Sequence, residues 1–225
     1  MVVFNFGSLL VLVCSATAAV IGERQAACGS YTIINTRGTG ERQGESSGFR
    51  TMNANVRGAV PGGKVYSTVY RASFSQQSAA GTRDIVNKIQ STLESNSNEC
   101  FILEGYSQGA AATVDALPQL TGAAFNAVKG VFLIGNPDHK RGLACNVDNN
   151  GGTTTRNVDG LSARSSQGIP QNWVSKTLDV CIRGDGVCDT TNGLGINSVH
   201  LRYPRDAATQ NLGTQFITAR LRGGS

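Results

Sequence analysis

The 225-residue chain predicts an α/β fold: one domain with a parallel sheet covered by helices on both faces. Three observations carry that expectation. β-rich or apolar runs recur at Tyr31–Thr36, Lys64–Arg71, Phe101–Leu103, Val131–Ile134 and Thr177–Ile182. Helix-compatible segments fall between them, clearest in Ser78–Glu94, where Ile85, Ile89 and Leu93 recur at four-residue steps with Val86 beside them. A Gly-x-Ser-x-Gly turn, Gly105-Tyr106-Ser107-Gln108-Gly109, joins an apolar run to an Ala-rich one. No internal repeat or linker divides the chain.

Taken in order, Tyr31–Thr36 reads as the first strand and runs into a Gly-broken loop, Arg37-Gly38-Thr39-Gly40-Glu41. Phe49–Val60 is weakly helical and stops at Pro61-Gly62-Gly63. Lys64–Arg71, alternating around Val65, Val69 and Tyr70, is the second strand, and Ser78–Glu94 an amphipathic helix. Phe101–Leu103 is apolar throughout, as a strand buried on both faces must be. Ala110–Leu117 is a helix that ends at Pro118. Val131–Ile134 ends at Gly135-Asn136-Pro137. A polar, Gly-rich stretch over 138–172 is expected to be a long loop, and loops of that length in compact domains are usually functional. Thr177–Ile182 returns to strand character. Asp206 is placed to cap a last helix in which Ala208, Leu212, Phe216 and Ala219 share a face.

The Gly-x-Ser-x-Gly turn sets the chemistry. Strand, turn and helix in that order form a tight elbow that only glycine fits at positions 105 and 109. The elbow lifts the Ser107 hydroxyl to a helix N-terminus, where partial positive charge favours a developing oxyanion. Ser107 then needs a base, and only two histidines exist. His139 lies in the polar patch Asp138-His139-Lys140-Arg141 and reads as a solvated surface residue; His200, just before the last helix, fits the chain order Ser, acid, His. Between Ser107 and His200, Asp138, Asp148, Asp159, Asp179, Asp185 and Asp189 are candidate acids. Asp185 is preferred because it follows the last strand inside Cys181–Cys188, and a disulfide closing that loop would fix its carboxylate; Asp138, also at a strand end, is the runner-up. The oxyanion hole is expected from the Gln108 N–H and from Thr39 in the loop after the first strand.

Composition narrows the setting. Residues 1–20 carry no charge, contain an apolar run from Leu9 to Val13, and offer Ala16-Thr17-Ala18 as a cleavage signal, so residues 1–19 are expected to be a secretory signal peptide and 20–225 the domain. The apolar run is too short to anchor the chain in a membrane. Cys14 would leave with the signal, and Cys28, Cys100, Cys145, Cys181 and Cys188 would meet an oxidising compartment. Cys181 and Cys188 stand close enough to close a small loop, and Cys28 could pin the tail to Cys100, leaving Cys145 over. No spacing suits zinc or haem, so no cofactor and no metal are expected. The net charge of +5 is scattered without a basic run, which disfavours nucleic acid as a partner.

Gly105-Tyr106-Ser107-Gln108-Gly109, the Cys-x-x-x-Asp-x-Val-Cys loop of 181–188, and His200-Leu201 shortly before Tyr203 together resemble the fungal cutinase family, which also contains acetylxylan esterases. The resemblance runs from about Cys28 to the last helix. It implies a small α/β-hydrolase with a central five-stranded parallel sheet and no large lid. It also implies a triad of Ser107, Asp185 and His200, an oxyanion hole from Thr39 and Gln108, and disulfides Cys28–Cys100 and Cys181–Cys188. Two features depart from the family. Its oxyanion loop is often Arg-Gly-Ser-Thr-Glu, and Thr39 keeps the hydroxyl; the 138–172 stretch looks longer and leaves a strand end, so that it would reshape the acyl groove. The expected activity is that of a secreted, monomeric serine esterase acting on cutin or similar polyesters, with Leu194, Ile196 and Val199 supplying an apolar groove. Deacetylation of xylan is the alternative, and a non-catalytic binding protein on the same fold is a third.

Overall fold

A computed structural model describes residues 1–3 and 27–224. Six strands form one parallel sheet in the order β2-β1-β3-β4-β6-β5. They are β1 (Tyr31–Thr36), β2 (Gly63–Ser67), β3 (Cys100–Tyr106), β4 (Val128–Ile134), β5 (Asn146–Val147) and β6 (Thr177–Val180). The helices are α1 (Arg50–Ala59), α2 (Ala79–Ser95), α3 (Gln108–Ala116), α4 (Gly122–Ala127) and α5 (Ala207–Leu221).

Strand periodicity sends alternate side chains to opposite faces, and both faces are apolar. Ile34, Phe101, Leu103, Val131 and Leu133 pack against α2, α3 and α4 through Ile85, Ile89, Ala110 and Ala124. Ile33, Ile102, Phe132 and Ile134 pack on the other side against α1 and α5 through Met52, Val56 and Ile217. β3 lies at the centre and every one of its residues is buried. Asp206 caps α5, accepting from the Thr209 N–H at 2.8 Å.

The structure departs from expectation in four elements. The second strand stops at Ser67 rather than running to Arg71, and the nucleophile strand is longer than its apolar run, reaching Tyr106. The six-residue α4 went unpredicted because it is too short to show a helical period. The sheet has six strands rather than five: Asn146 and Val147, inside the 138–172 stretch, pair in register with Asp179 and Val180. That stretch is therefore tied to the sheet edge instead of standing off it. Its turn at 148–154 is closed by the Asp148 carboxylate, which accepts from the N–H groups of Asn150 and Gly152, both at 2.9 Å.

Disulfides join Cys28 to Cys100 and Cys181 to Cys188, with Cα separations of 6.0 and 5.8 Å. Cys145 is a buried free thiol; burial first, then the charge of Asp179, pushes it up to about 12, so it stays protonated and unreactive. The expected signal segment falls, beyond its first three residues, outside the described residues. Among the described residues no helix is long and apolar enough to cross a membrane, and no group of three or more His, Cys, Asp or Glu is arranged to hold a metal.

Candidate active site

β3 ends at Tyr106, and the chain turns through Ser107 at φ 55° and ψ −119° before α3 begins at Gln108. Positive φ is strained for a residue with a Cβ. It persists because Gly105 and Gly109 let α3 sit hard against the strands: a Cβ on Gly105 would come 2.6 Å from the Ala110 Cα, and one on Gly109 would strike the Thr36 and Arg37 carbonyls. The Ser107 N–H donates to Ile134 O at 3.0 Å, so the elbow is also pinned to β4.

The Ser107 hydroxyl lies 2.9 Å from His200 Nε2. His200 Nδ1 lies 2.8 and 3.0 Å from the two oxygens of Asp185. All three residues are buried, Asp185 completely. A carboxylate can only accept, so Nδ1 carries the proton and Nε2 turns its lone pair to the serine. Asp185 is held in turn by the Val187 N–H at 2.9 Å and the Tyr203 hydroxyl at 2.7 Å. Burial, followed by the Asp185 charge, raises Tyr203 well above the usual phenol range, so it remains a neutral donor. The same oxygen accepts from the Ile182 N–H at 3.1 Å. Asn197 accepts from the His200 N–H and donates to Gly184 O, both at 2.9 Å, which ties the histidine loop to the disulfide loop. Tyr106 donates to His200 O at 2.7 Å with its ring 5.3 Å from the imidazole.

Gln108 opens α3, so its N–H has no carbonyl one turn behind it. Thr39 stands across from it, its Oγ1 3.4 Å from Gln108 Oε1 and 3.0 Å from Gln76 Nε2, which donates to it. The loop bearing Thr39 is held by a dense set of hydrogen bonds. Glu41 accepts from the Gly38 N–H, the Ser46 hydroxyl, the Ser47 N–H and the Ser47 hydroxyl, each at 2.7 Å. Arg37 donates to the carbonyls of Glu41, Thr68 and Tyr70.

The remaining candidates are engaged elsewhere. His139 is not solvated as expected but fully buried, with Nδ1 2.8 Å from Asp179 and Nε2 3.0 Å from Thr155 O. Desolvation pulls its pKa down, yet the Asp179 carboxylate and the Thr155 carbonyl outweigh it and the net shift is upward. Asp159 pairs with Arg141, Asp189 accepts from Gly184 and Thr191, and Asp148 closes its own turn. Asp138 lines the cavity and does not reach His200. Sequence reasoning missed Tyr203, Asn197, Tyr106 and Gln76 as supports. The Tyr three residues after His200 was visible in the sequence; its bond to Asp185 was not.

A cavity of about 500 Å³ opens beside Ser107. Leu161, Val187 and Ile196 give it an apolar side, so residues of the 138–172 stretch do line the site. Of the three groove residues expected, Ile196 lines the cavity, Leu194 is exposed, and Val199 packs instead against the core on the α1 and α5 side.

Residues 27–221 match the family model Cutinase. The chain is 30% identical over 207 residues to a cutinase of Monilinia fructicola, covering 89% of each protein. It is 26% identical to the carboxylesterase Culp1 of Mycobacterium tuberculosis, covering 86% of this chain and 82% of that protein. Among solved structures, a cutinase-like protein from Cryptococcus sp. superposes with a TM-score of 0.86 at 63% identity, covering 88% of this chain and 98% of that one. The catalytic core of an acetyl xylan esterase from Trichoderma reesei superposes with a TM-score of 0.71 at 26% identity, covering 86% and 100%.

Proposed function

The chain belongs to the cutinase family, and we propose that within it the chain is an exported serine esterase cleaving the ester bonds of cutin or similar aliphatic polyesters. Ser107 is the nucleophile. Its Oγ attacks the ester carbonyl while His200 Nε2 takes the hydroxyl proton, and Asp185 stabilises the imidazolium that forms. The Gln108 N–H and Thr39 receive the oxyanion, and the hydrogen bonds that hold the Arg37–Glu41 loop in place reduce the reorganisation needed when charge develops. His200 returns its proton to the leaving alcohol, and water, activated by the same imidazole, releases the acyl group. The observation carrying this reading is the unbroken hydrogen-bonded chain from Ser107 through His200 to Asp185, at 2.9 and 2.8 Å.

The two disulfides support export, because such bonds persist in oxidising compartments, and the uncharged residues 1–19 would be the signal. Leu161, Val187 and Ile196 support an aliphatic acyl group over acetate. The likeness to an acetyl xylan esterase core keeps deacetylation as the second reading. Wild type should be labelled by an organophosphonate and should hydrolyse p-nitrophenyl esters, and Ser107→Ala should lose both, the rate by roughly a millionfold. Medium-chain esters and cutin should be turned over faster than acetate esters and acetylated xylan. Activity confined to acetate esters would replace the polyester reading with the second one.

A further inference from the structure

The cavity beside Ser107 is not uniformly suited to an alkyl chain. Asp138, Asp115 and Ser166 line it together with Leu161, Val187 and Ile196. Asp138 is only 4% exposed. Its backbone is fixed in a short turn, where its N–H donates to Asn136 Oδ1 at 2.9 Å and the Asn136 amide donates to Asp179 on β6. Among the described residues no lysine or arginine lies within ion-pair distance of Asp138. A largely buried carboxyl thus stands in the wall of the ester pocket without a cationic partner.

Building on the esterase reading above, we propose that Asp138 is a specificity-determining residue of this pocket, favouring esters that carry a hydroxyl a few carbons from the scissile bond over plain alkyl esters of equal length. An alkyl chain laid against this wall strips water from the carboxyl and gives nothing back, whereas a hydroxyl donates to it. The discrimination depends on pH. Burial first, then the charges of Asp115 on α3 and Asp179 on β6, raise Asp138 to about 6, while the Ser166 hydroxyl and Lys140 act in the opposite direction. His139 lies behind it, paired with Asp179. Below that value the carboxyl is neutral and tolerates an alkyl chain; above it the carboxyl is ionised and the alkyl chain is disfavoured.

The hydroxyl can sit on the acyl or the alcohol side of the ester, and two substrate pairs separate these. One is p-nitrophenyl ω-hydroxyhexanoate against p-nitrophenyl hexanoate; the other is hexanediol monoacetate against hexyl acetate. The ratio of kcat/KM within a pair, measured on one preparation, does not depend on the fraction of active enzyme. In wild type one ratio should exceed unity and rise as pH passes through about 6. Asp138→Leu should bring that ratio toward unity, a change of about ten- to a hundredfold. Asp138→Asn should make it independent of pH. Ser166→Ala keeps the carboxyl and should move the pH midpoint upward, which tests the idea even if Asp138→Leu does not fold. Ratios that are flat with pH in wild type, or unmoved in the Asp138 variants, overturn the inference and leave the esterase reading standing. Failure of wild type to hydrolyse any of the four esters or to take an organophosphonate overturns both.

Discussion

Ser107 is held at φ 55° by its neighbours, and the same economy of placement recurs in the residues that support it. Tyr203 bonds at once to Asp185 and to the Ile182 N–H, so its hydroxyl orients the carboxylate and closes the end of β6. Tyr203→Phe leaves the buried Ile182 N–H without its acceptor and removes one of the donors that hold Asp185. We expect a loss of about 1–3 kcal/mol in unfolding free energy and a fall in kcat of roughly ten- to a hundredfold from a misoriented imidazole, read by thermal unfolding and active-site-titrated kinetics. Glu104, two residues before Tyr106, has no role in the proposed chemistry. It is fully buried and accepts from Asn35 and Asn53 at 2.7 and 3.0 Å, yet its second oxygen and Asn53 Oδ1 both lack a donor. Desolvation outweighs the two amides and raises it to about 8. A proton on Glu104 removes the cost of burying its charge, and the sign follows: its contribution is fullest below about pH 4.5 and is lost as pH rises toward 8. Glu104→Gln should therefore be more stable than wild type at neutral pH, by a few kcal/mol, with the gain vanishing at low pH. Chemical denaturation across that range checks it, and a variant less stable at every pH would refute it. The proposed triad of Ser107, Asp185 and His200 could be nominated from the sequence because a serine elbow and two histidines leave few options. Glu104 could not, because burial is invisible in a strand that reads Phe-Ile-Leu-Glu-Gly-Tyr.

At the scale of elements, the segment between β4 and β6 is where sequence and structure differ most. Its composition predicted a polar overhang, and a local window could show neither the strand pairing of Asn146 and Val147 nor the burial of His139. The partner of the buried His139 is Asp179, forty positions away on β6, and the second contact is the Thr155 carbonyl within the segment itself. With acceptors at both ring nitrogens only the protonated imidazole satisfies both, and in that form it clamps the segment to the sheet. His139→Gln leaves the Asp179 carboxylate buried with the Asn136 amide as its remaining side-chain donor. The expected loss is about 3–5 kcal/mol. Because the folded pKa is raised, the wild-type advantage should be complete below about pH 6.5 and shrink as pH rises through the folded value. Melting temperatures of both proteins as a function of pH measure this, and a gap that widens with pH would contradict it. The clamp also explains how residues of one segment come to face Ser107: Asp138 begins the segment beside α3, and Leu161 and Ser166 return to the same cavity.

Across the whole molecule, one parallel sheet brings the carboxyl ends of β1, β3, β4 and β6 to the same side, and Thr39, Ser107, Asp138 and Asp185 follow those four ends in turn. The Cys28–Cys100 bond fastens the chain ahead of β1 to the start of β3 across 72 positions, at the opposite end from Ser107. Removing it with a double Cys→Ser change should cost about 4 kcal/mol of stability while leaving kcat of the folded fraction near wild type. Opening Cys181–Cys188, which spans only 7 positions, should cost about 2 kcal/mol but lower kcat, since that loop carries Asp185. Unfolding curves and kinetics on the two double variants distinguish a structural staple from one that holds a functional group. The sequence alone determined the α/β class, the elbow at Ser107, the capping of the last helix by Asp206 and the candidates for base and acid, because periodicity, turn chemistry and residue scarcity are local or countable properties. The tertiary structure alone decided that Tyr203 braces Asp185, that His139 is an internal clamp, that Val199 faces the core and that Asp138 lines the cavity beside Ser107. Each of those depends on which distant groups the folded sheet brings within a few ångströms and removes from water, and no single stretch of the chain contains that information.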